Sequence, residues 1–127
     1  MGAVESPIAE SVHWFVGEDR TLLYDVTSDG TAAQTMTGWA LTWELLDKRA
    51  SAGGTVLLTK TTGAGTITIG NGAGTDDRAT VTIADVDTES GTLPNGPGTY
   101  FTVLRRTDAG SEVTLAFGDA VIQRASI

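Results

Sequence analysis

Apolar and polar residues alternate along much of this chain, most clearly between positions 39 and 45. Large apolar side chains occupy every second place there, and small or polar residues lie between them. Because successive side chains of a strand point to opposite faces, this spacing sends two indoles and two leucines to one face. Each indole can bury roughly 200 Å². We predict a central strand with one buried face, formed by Trp39, Leu41, Trp43 and Leu45.

The same alternation recurs in shorter segments, and Gly-rich or Asp-rich turns separate them about every 8 to 12 residues. A short Gly-containing loop at 108–110 predicts a hairpin, and Gly118-Asp119 predicts a bulge that interrupts the last strand. The further predicted strands are 10–16, 21–27, 55–61, 66–69, 78–84, 99–107, 111–117 and 120–123.

Seven to nine short strands of this kind predict an all-β fold, an immunoglobulin-like antiparallel β-sandwich. We expect one domain at 10–127, preceded by an extended N-terminal arm at 1–9 that either is disordered or orders against a neighbour. The inward parity of the strands predicts a core of Leu22, Tyr24, Val26, Trp39, Leu41, Trp43, Leu45, Val81, Ile83, Tyr100, Leu104, Val113, Leu115 and Phe117.

Composition narrows the classes of function. The chain has 127 residues, eight basic against sixteen acidic, a net charge of −8 and no cysteine. The charge argues against a nucleic acid or an anionic membrane as direct partner, and the lack of cysteine excludes disulfides and thiolate metal sites. No apolar run approaches membrane-spanning length and the N-terminus lacks signal-peptide features, so we expect a soluble protein.

Motifs for catalysis or phosphate binding are weak. The glycines at 63–65 and 70–74 precede β-prone residues instead of the Lys-Ser/Thr and helix of a phosphate loop, so we interpret them as turns. His13 is the only histidine, and no Gly-x-Ser-x-Gly motif is present. We therefore predict no catalytic residues, no cofactor and no enzymatic activity.

An acidic segment at 85–89 begins like a calcium loop. Its sixth and twelfth positions, however, hold Ser90 and Gly96, where an EF-hand requires Gly and Glu. Asp76 and Asp77 could join it from the neighbouring loop. We favour ordinary acidic turns and predict no metal site.

The predicted strand at 99–107 carries apolar residues on both parities. Tyr100 and Leu104 share one face, Phe101 and Val103 the other. The second face is either covered by a loop or the arm, or exposed as a patch that binds a protein. Arg105 and Arg106 follow this strand segment. We expect them either to pair with Asp108 or Glu112 or to form the rim of an interface. The predicted interface consists of Phe101, Val103, Arg105, Arg106, Pro7 and Ile8.

Several segments resemble small structural proteins encoded in the virion gene clusters of tailed bacteriophages. The similarity extends over roughly 15–123. It is carried by Gly17-Glu18-Asp19 before Thr21-Leu22, Leu58-Thr59-Lys60 before Ile67-Thr68-Ile69, Val81-Thr82-Ile83-Ala84-Asp85 before Leu93-Pro94, Gly98-Thr99-Tyr100, Leu104-Arg105-Arg106-Thr107-Asp108-Ala109-Gly110-Ser111-Glu112 and Leu115-Ala116-Phe117-Gly118-Asp119.

The resemblance implies an immunoglobulin-like module of a tail, baseplate, fibre, neck or capsid surface. It implies a non-enzymatic virion protein that binds other virion proteins in many copies, as a homo-oligomer or symmetric array. The alternative is a carbohydrate- or host-surface-binding module. That function requires a tryptophan or tyrosine platform on the outer surface, whereas parity places Trp39 and Trp43 inside.

Overall fold

A computed structural model describes residues 8–9, 12–15, 19–27, 32–49, 52–72, 74–84, 87, 98–108, 110 and 112–123. Within these ranges the chain forms β-strands and no α-helix. The strands are β1 (Ile8–Ala9), β2 (Val12–Phe15), β3 (Arg20–Asp25), β4 (Leu41–Leu46), β5 (Val56–Thr61), β6 (Ile67–Gly70), β7 (Arg78–Ile83), β8 (Gly98–Arg106) and β9 (Val113–Gln123).

The strands form two sheets that enclose one hydrophobic core. The larger sheet has the order β1-β9-β8-β4-β5, with β2 also paired to β9, and the smaller sheet has the order β3-β7-β6. Both N-terminal strands run parallel to β9, and all other pairs are antiparallel. These orders match the G-F-C-C′ and B-E-D arrangements of immunoglobulin domains. The predicted β-sandwich fold is confirmed.

Both N-terminal strands follow β9 in a single register. Ile8 lies opposite Ala116 and Val12 opposite Ala120, so the offset between partners is the same before and after the short gap. Ile8, a predicted interface residue of the arm, therefore pairs through its backbone with its own domain. Pro7 lies outside the described residues.

The core lies between the two sheets. Trp39 and Val113 are half-buried and pack against it, and Met36, in the polar loop before β4, is fully buried although no alternation predicts it. Of the predicted core, the buried residues are Leu22, Tyr24, Val26, Leu41, Trp43, Leu45, Val81, Ile83, Tyr100, Leu104 and Leu115.

A β-bulge interrupts the pairing of β8 with β9. Leu104 faces Ala116, whereas its neighbour Arg105 faces Thr114, which leaves Leu115 as an extra residue in β9. Such an insertion places two consecutive residues on the same face. Leu115 and Ala116 are accordingly both buried.

The bulge reverses the parity of the rest of β9, and the observed course of this strand contradicts two predictions. Phe117 is not a core residue: it is 48% exposed, because Ala116, Ala120 and Ile122 take the inward places. The predicted bulge at Gly118-Asp119 is also absent, since β9 continues through both residues to Gln123.

Candidate interaction surface

Two neighbouring strands of the larger sheet place apolar side chains on its outer face. Val103 of β8 lies directly opposite Phe117 of β9. Directly opposed residues on one face have Cβ atoms about 5 Å apart, so these side chains are contact neighbours. Phe101 is the next outward residue of β8 and lies opposite Asp119, and Val121 is the outward residue of β9 beyond Asp119, where it faces Thr99. We call Phe101, Val103, Phe117 and Val121 the β8–β9 patch.

An apolar row continues the patch across the sheet. Phe101 lies opposite Leu46 of β4, which in turn faces Val56 of β5. Leu46 is buried outside the central core cluster, whereas Val56 is 43% exposed. An outward sheet face normally carries polar residues. Contiguous apolar surface is instead typical of a binding site.

Arg49 partly covers the patch. Its guanidinium carbon lies 5.5 Å from the centroid of the Phe101 ring, and its Nη2 lies 3.9 Å from Asp119 Oδ1. The Arg49 side chain is 70% exposed. An exposed cation–π contact and an exposed ion pair each stabilise by about 1 kcal/mol or less. A partner can therefore displace Arg49 at little cost.

The turn that carries Arg49 requires a close backbone approach. The Gly54 amide donates a hydrogen bond to the Arg49 carbonyl oxygen at 3.1 Å. A Cβ at Gly54 would overlap the carbonyl oxygen of Lys48. Glycine at this position thus lets the chain fold back and hold Arg49 beside the sheet.

A second ion pair lies on the opposite flank of the patch. Arg105 Nη2 donates to Glu44 Oε1 at 2.9 Å, and Glu44 lies beside Val103 in the sheet. Asp119 lies within the patch, opposite Phe101, and is paired with Arg49. The charges of these two ion pairs sum to zero, although the chain has a net charge of −8.

Arg106, the other predicted rim residue, belongs to a different cluster. Its guanidinium carbon lies 4.0 Å from the Trp39 ring centroid, and its Nη2 donates to Asp108 Oδ2 at 2.9 Å. Asp108 also accepts a hydrogen bond from the Ala40 amide. This backbone bond, followed by the bond from Arg106, lowers the pKa of Asp108. The cluster joins the loop before β4 to the end of β8.

The acidic residues considered for calcium have structural roles where they are described. Asp77 is buried and accepts hydrogen bonds from the Gly72 and Gly74 amides at 2.6 and 3.0 Å. The Gly72 bond is the main cause that lowers the pKa of Asp77. Asp76 Oδ2 accepts a hydrogen bond from Thr37 Oγ1 at 2.6 Å. These carboxylates fix the turn before β7.

Asp87 has a similar structural role at the other end of β7. Its Oδ2 accepts hydrogen bonds from Lys60 Nζ at 2.6 Å and from the Ala84 amide at 2.7 Å. Asp85 and Glu89, which belong to the segment considered for calcium and interpreted as an acidic turn, lie outside the described residues. Among the described residues, no group of three His, Cys, Asp or Glu side chains is arranged to hold a metal ion.

The described tryptophan side chains offer no open aromatic platform for a sugar. Trp43 is fully buried. Trp39 packs against the core and has Arg106 over its ring. His13 pairs through its backbone with Val121 at the margin of the β8–β9 patch. Neither Trp39 nor Trp43 therefore provides the exposed platform that the carbohydrate-binding alternative requires.

Comparison with models of known protein families finds no match, and comparison with curated proteins finds none either. In the described part of the chain, no helix has the length and apolar character needed to cross a bilayer.

Proposed function

We propose that this chain is a non-enzymatic structural protein of a tailed-bacteriophage virion. It acts as an immunoglobulin-like module of the tail, baseplate, neck or head surface and docks on other virion proteins through the β8–β9 patch. The observation that carries this proposal is the direct pairing of Val103 with the 48%-exposed Phe117 on the outer face of the larger sheet. We propose a phage virion as the particle because the sequence resembles small structural proteins of tailed bacteriophages.

The properties of the sandwich suit such a role. A core that includes Trp43 and Leu104 at 0% exposure holds the strands in fixed positions, so docking requires displacement of the Arg49 side chain but no rearrangement of the sheet. A module repeated around a symmetric particle gains strength from avidity, because each further contact becomes intramolecular. A weak patch on each copy is then sufficient for stable incorporation.

The charge supports a location outside the DNA compartment. A chain with a net charge of −8 is repelled by packaged DNA and gains nothing from contact with phosphates. Its partners are therefore virion proteins that present apolar surface. We propose that it joins the particle during assembly in the host cytoplasm.

Substitutions on the two outer sheet faces test this function. Phe117→Asp and Phe101→Asp each place a charge in the patch. Leu23→Asp is the matched control, because Leu23 is 52% exposed on β3 of the other sheet and the change in charge is identical. Each variant is supplied to a phage strain that lacks the gene, and the purified particles are assayed by quantitative mass spectrometry.

We expect both phenylalanine variants to remain folded by circular dichroism and to be lost from particles at least tenfold relative to Leu23→Asp. Normal incorporation of folded Phe117→Asp and Phe101→Asp would overturn the proposed docking surface. Loss of the Leu23→Asp control to the same extent would also contradict it.

A further inference from the structure

We propose that the β8–β9 patch also binds a second copy of this chain, patch against patch around a two-fold axis. This inference rests on the proposed function, in which the same face is a docking surface, and it identifies a partner for that face. An isologous contact brings identical surfaces together, so the surface must be complementary to itself in both charge and shape.

The charge distribution favours a second copy. Two chains that each carry −8 repel one another over most of their surfaces. At the patch, however, Arg49 is paired with Asp119 and Arg105 with Glu44, so the flanks are neutral. This face can therefore meet its own copy with little local repulsion. A strongly basic partner, in contrast, would gain no net attraction at this face.

The paired flanks also provide complementary groups for the contact. Arg49 and Asp119 are separated by 3.9 Å and have side-chain exposures of 70% and 43%. Each can exchange its partner within the chain for the opposite charge of a second copy, which leaves the number of ion pairs unchanged. A two-fold axis creates every such cross-contact twice, because residue i contacts j and j contacts i.

The β5 margin of this sheet is poorly suited to association between copies. β5 is the last described strand on that side, and the register shift opposite Leu45 and Leu46 leaves Leu57 as an extra residue. Lys60 of the same strand points inward to Asp87. Bulges and inward-pointing charges are features that protect strand edges from pairing. The face therefore provides a better contact than this edge.

The size of the face predicts a weak dimer. Four strands spaced about 4.8 Å apart and six residues long at about 3.3 Å each cover roughly 400 Å² in projection. Stable complexes bury about 800 Å² on each partner. A contact of about half that area belongs with weak, transient interfaces, so we expect the dimer to be populated only at high protein concentration. Such a contact becomes strong when other contacts hold the two copies side by side on the particle, because the dimer then forms at a high effective concentration.

Sedimentation equilibrium over about 5 μM to 1 mM tests the inference with the isolated chain. Wild type should shift from monomer to dimer with concentration. Phe117→Asp should raise the dissociation constant at least tenfold, whereas Leu23→Asp, which adds the same charge to the other sheet, should leave it within threefold. The wild-type series requires no substitution and so does not depend on the folding of a variant.

Salt provides an independent readout. Because the patch is apolar and neutral while the chains repel overall, raising the salt from about 10 mM to about 150 mM should tighten the dimer by screening that repulsion. A dimer formed by attraction between opposite charges would weaken instead.

A wild-type chain that stays monomeric to 1 mM would overturn this inference, as would equal effects of Phe117→Asp and Leu23→Asp. A monomeric chain whose incorporation into particles still depends on Phe117 would leave the proposed docking on other virion proteins intact. The two proposals can therefore fail separately.

Discussion

Trp43 of the larger sheet donates a hydrogen bond from its indole Nε1 to the hydroxyl of Tyr24 in the smaller sheet, at 3.2 Å. Both side chains are buried, with exposures of 0% and 2%. The contact joins β4 to β3 across the core. It fixes the sheet that carries the β8–β9 patch relative to the sheet behind it.

Replacement of Tyr24 by phenylalanine should destabilise the fold without loss of core volume. The buried indole N–H would lose its acceptor, which costs about 1–3 kcal/mol in the free energy of unfolding. Trp43→Phe should cost about 2–4 kcal/mol because it also removes buried area. Urea unfolding of the single and double variants measures the coupling. Strict additivity would contradict a direct interaction between the two side chains.

The bulge in β9 predicts opposite outcomes for two positions that share a face in a regular strand. Leu115→Asp should lower the free energy of unfolding by about 4 kcal/mol or prevent folding, because it buries an unpaired carboxylate. Phe117→Asp should change it by less than about 1 kcal/mol, because Phe117 faces outward. The urea midpoints of the two variants, compared with that of wild type, measure the two losses of stability. Similar losses at both positions would contradict the bulge.

The buried pair of Lys60 and Asp87 should be sensitive to the removal of one partner. Their side chains are 10% and 15% exposed. Asp87→Asn leaves the ammonium buried without its counter-charge, which should cost about 3–5 kcal/mol. Lys60→Met together with Asp87→Asn removes both charges and should recover most of that loss. A double variant as unstable as Asp87→Asn in urea unfolding would refute this account of the pair.

Asp77 should contribute to stability at neutral pH and lose that contribution in acid. Backbone hydrogen bonds from Gly72 and Gly74 lower the pKa of Asp77 in the folded protein. A depressed folded pKa stabilises the native state above the unfolded pKa of about 3.9, and the stabilisation disappears as the pH falls through the folded pKa. Asp77→Asn should therefore lose less stability than wild type between pH 5 and pH 2, measured by urea unfolding at each pH. Parallel pH profiles of the two proteins would contradict the assignment.

Alternation in the sequence was sufficient to predict the fold class and the inward faces of the regular strands. The pairings of β3 with β7 and of β4 with β8 contain no register shift, so alternate residues along these strands point to the same face of the sheet. The bulge at Leu115 breaks that rule, and its position depends on pairing with β8. The sequence does contain one sign of this change. Ala116, Ala120 and Ile122 are apolar although they alternate with Phe117, and these three residues form the buried face of β9 after the bulge.

The flanks of the patch depend on tertiary contacts that the sequence alone leaves open. Arg106 pairs with Asp108, which was one of the predicted alternatives, whereas Arg105 pairs with Glu44, which is distant along the chain. Arg49 reaches Phe101 only because the loop after β4 folds back over the sheet. Such contacts follow from strand order and loop geometry, which alternation does not encode.

The most direct test of the central claim is whether the chain is part of a virion. Particles released from cells that carry the gene are separated on a density gradient, and this chain is quantified by peptide mass spectrometry in each fraction. The account predicts that the chain co-sediments with intact particles in a constant, many-copy ratio to the other virion proteins. Its recovery only in the soluble fractions, with none in purified particles, would contradict the account.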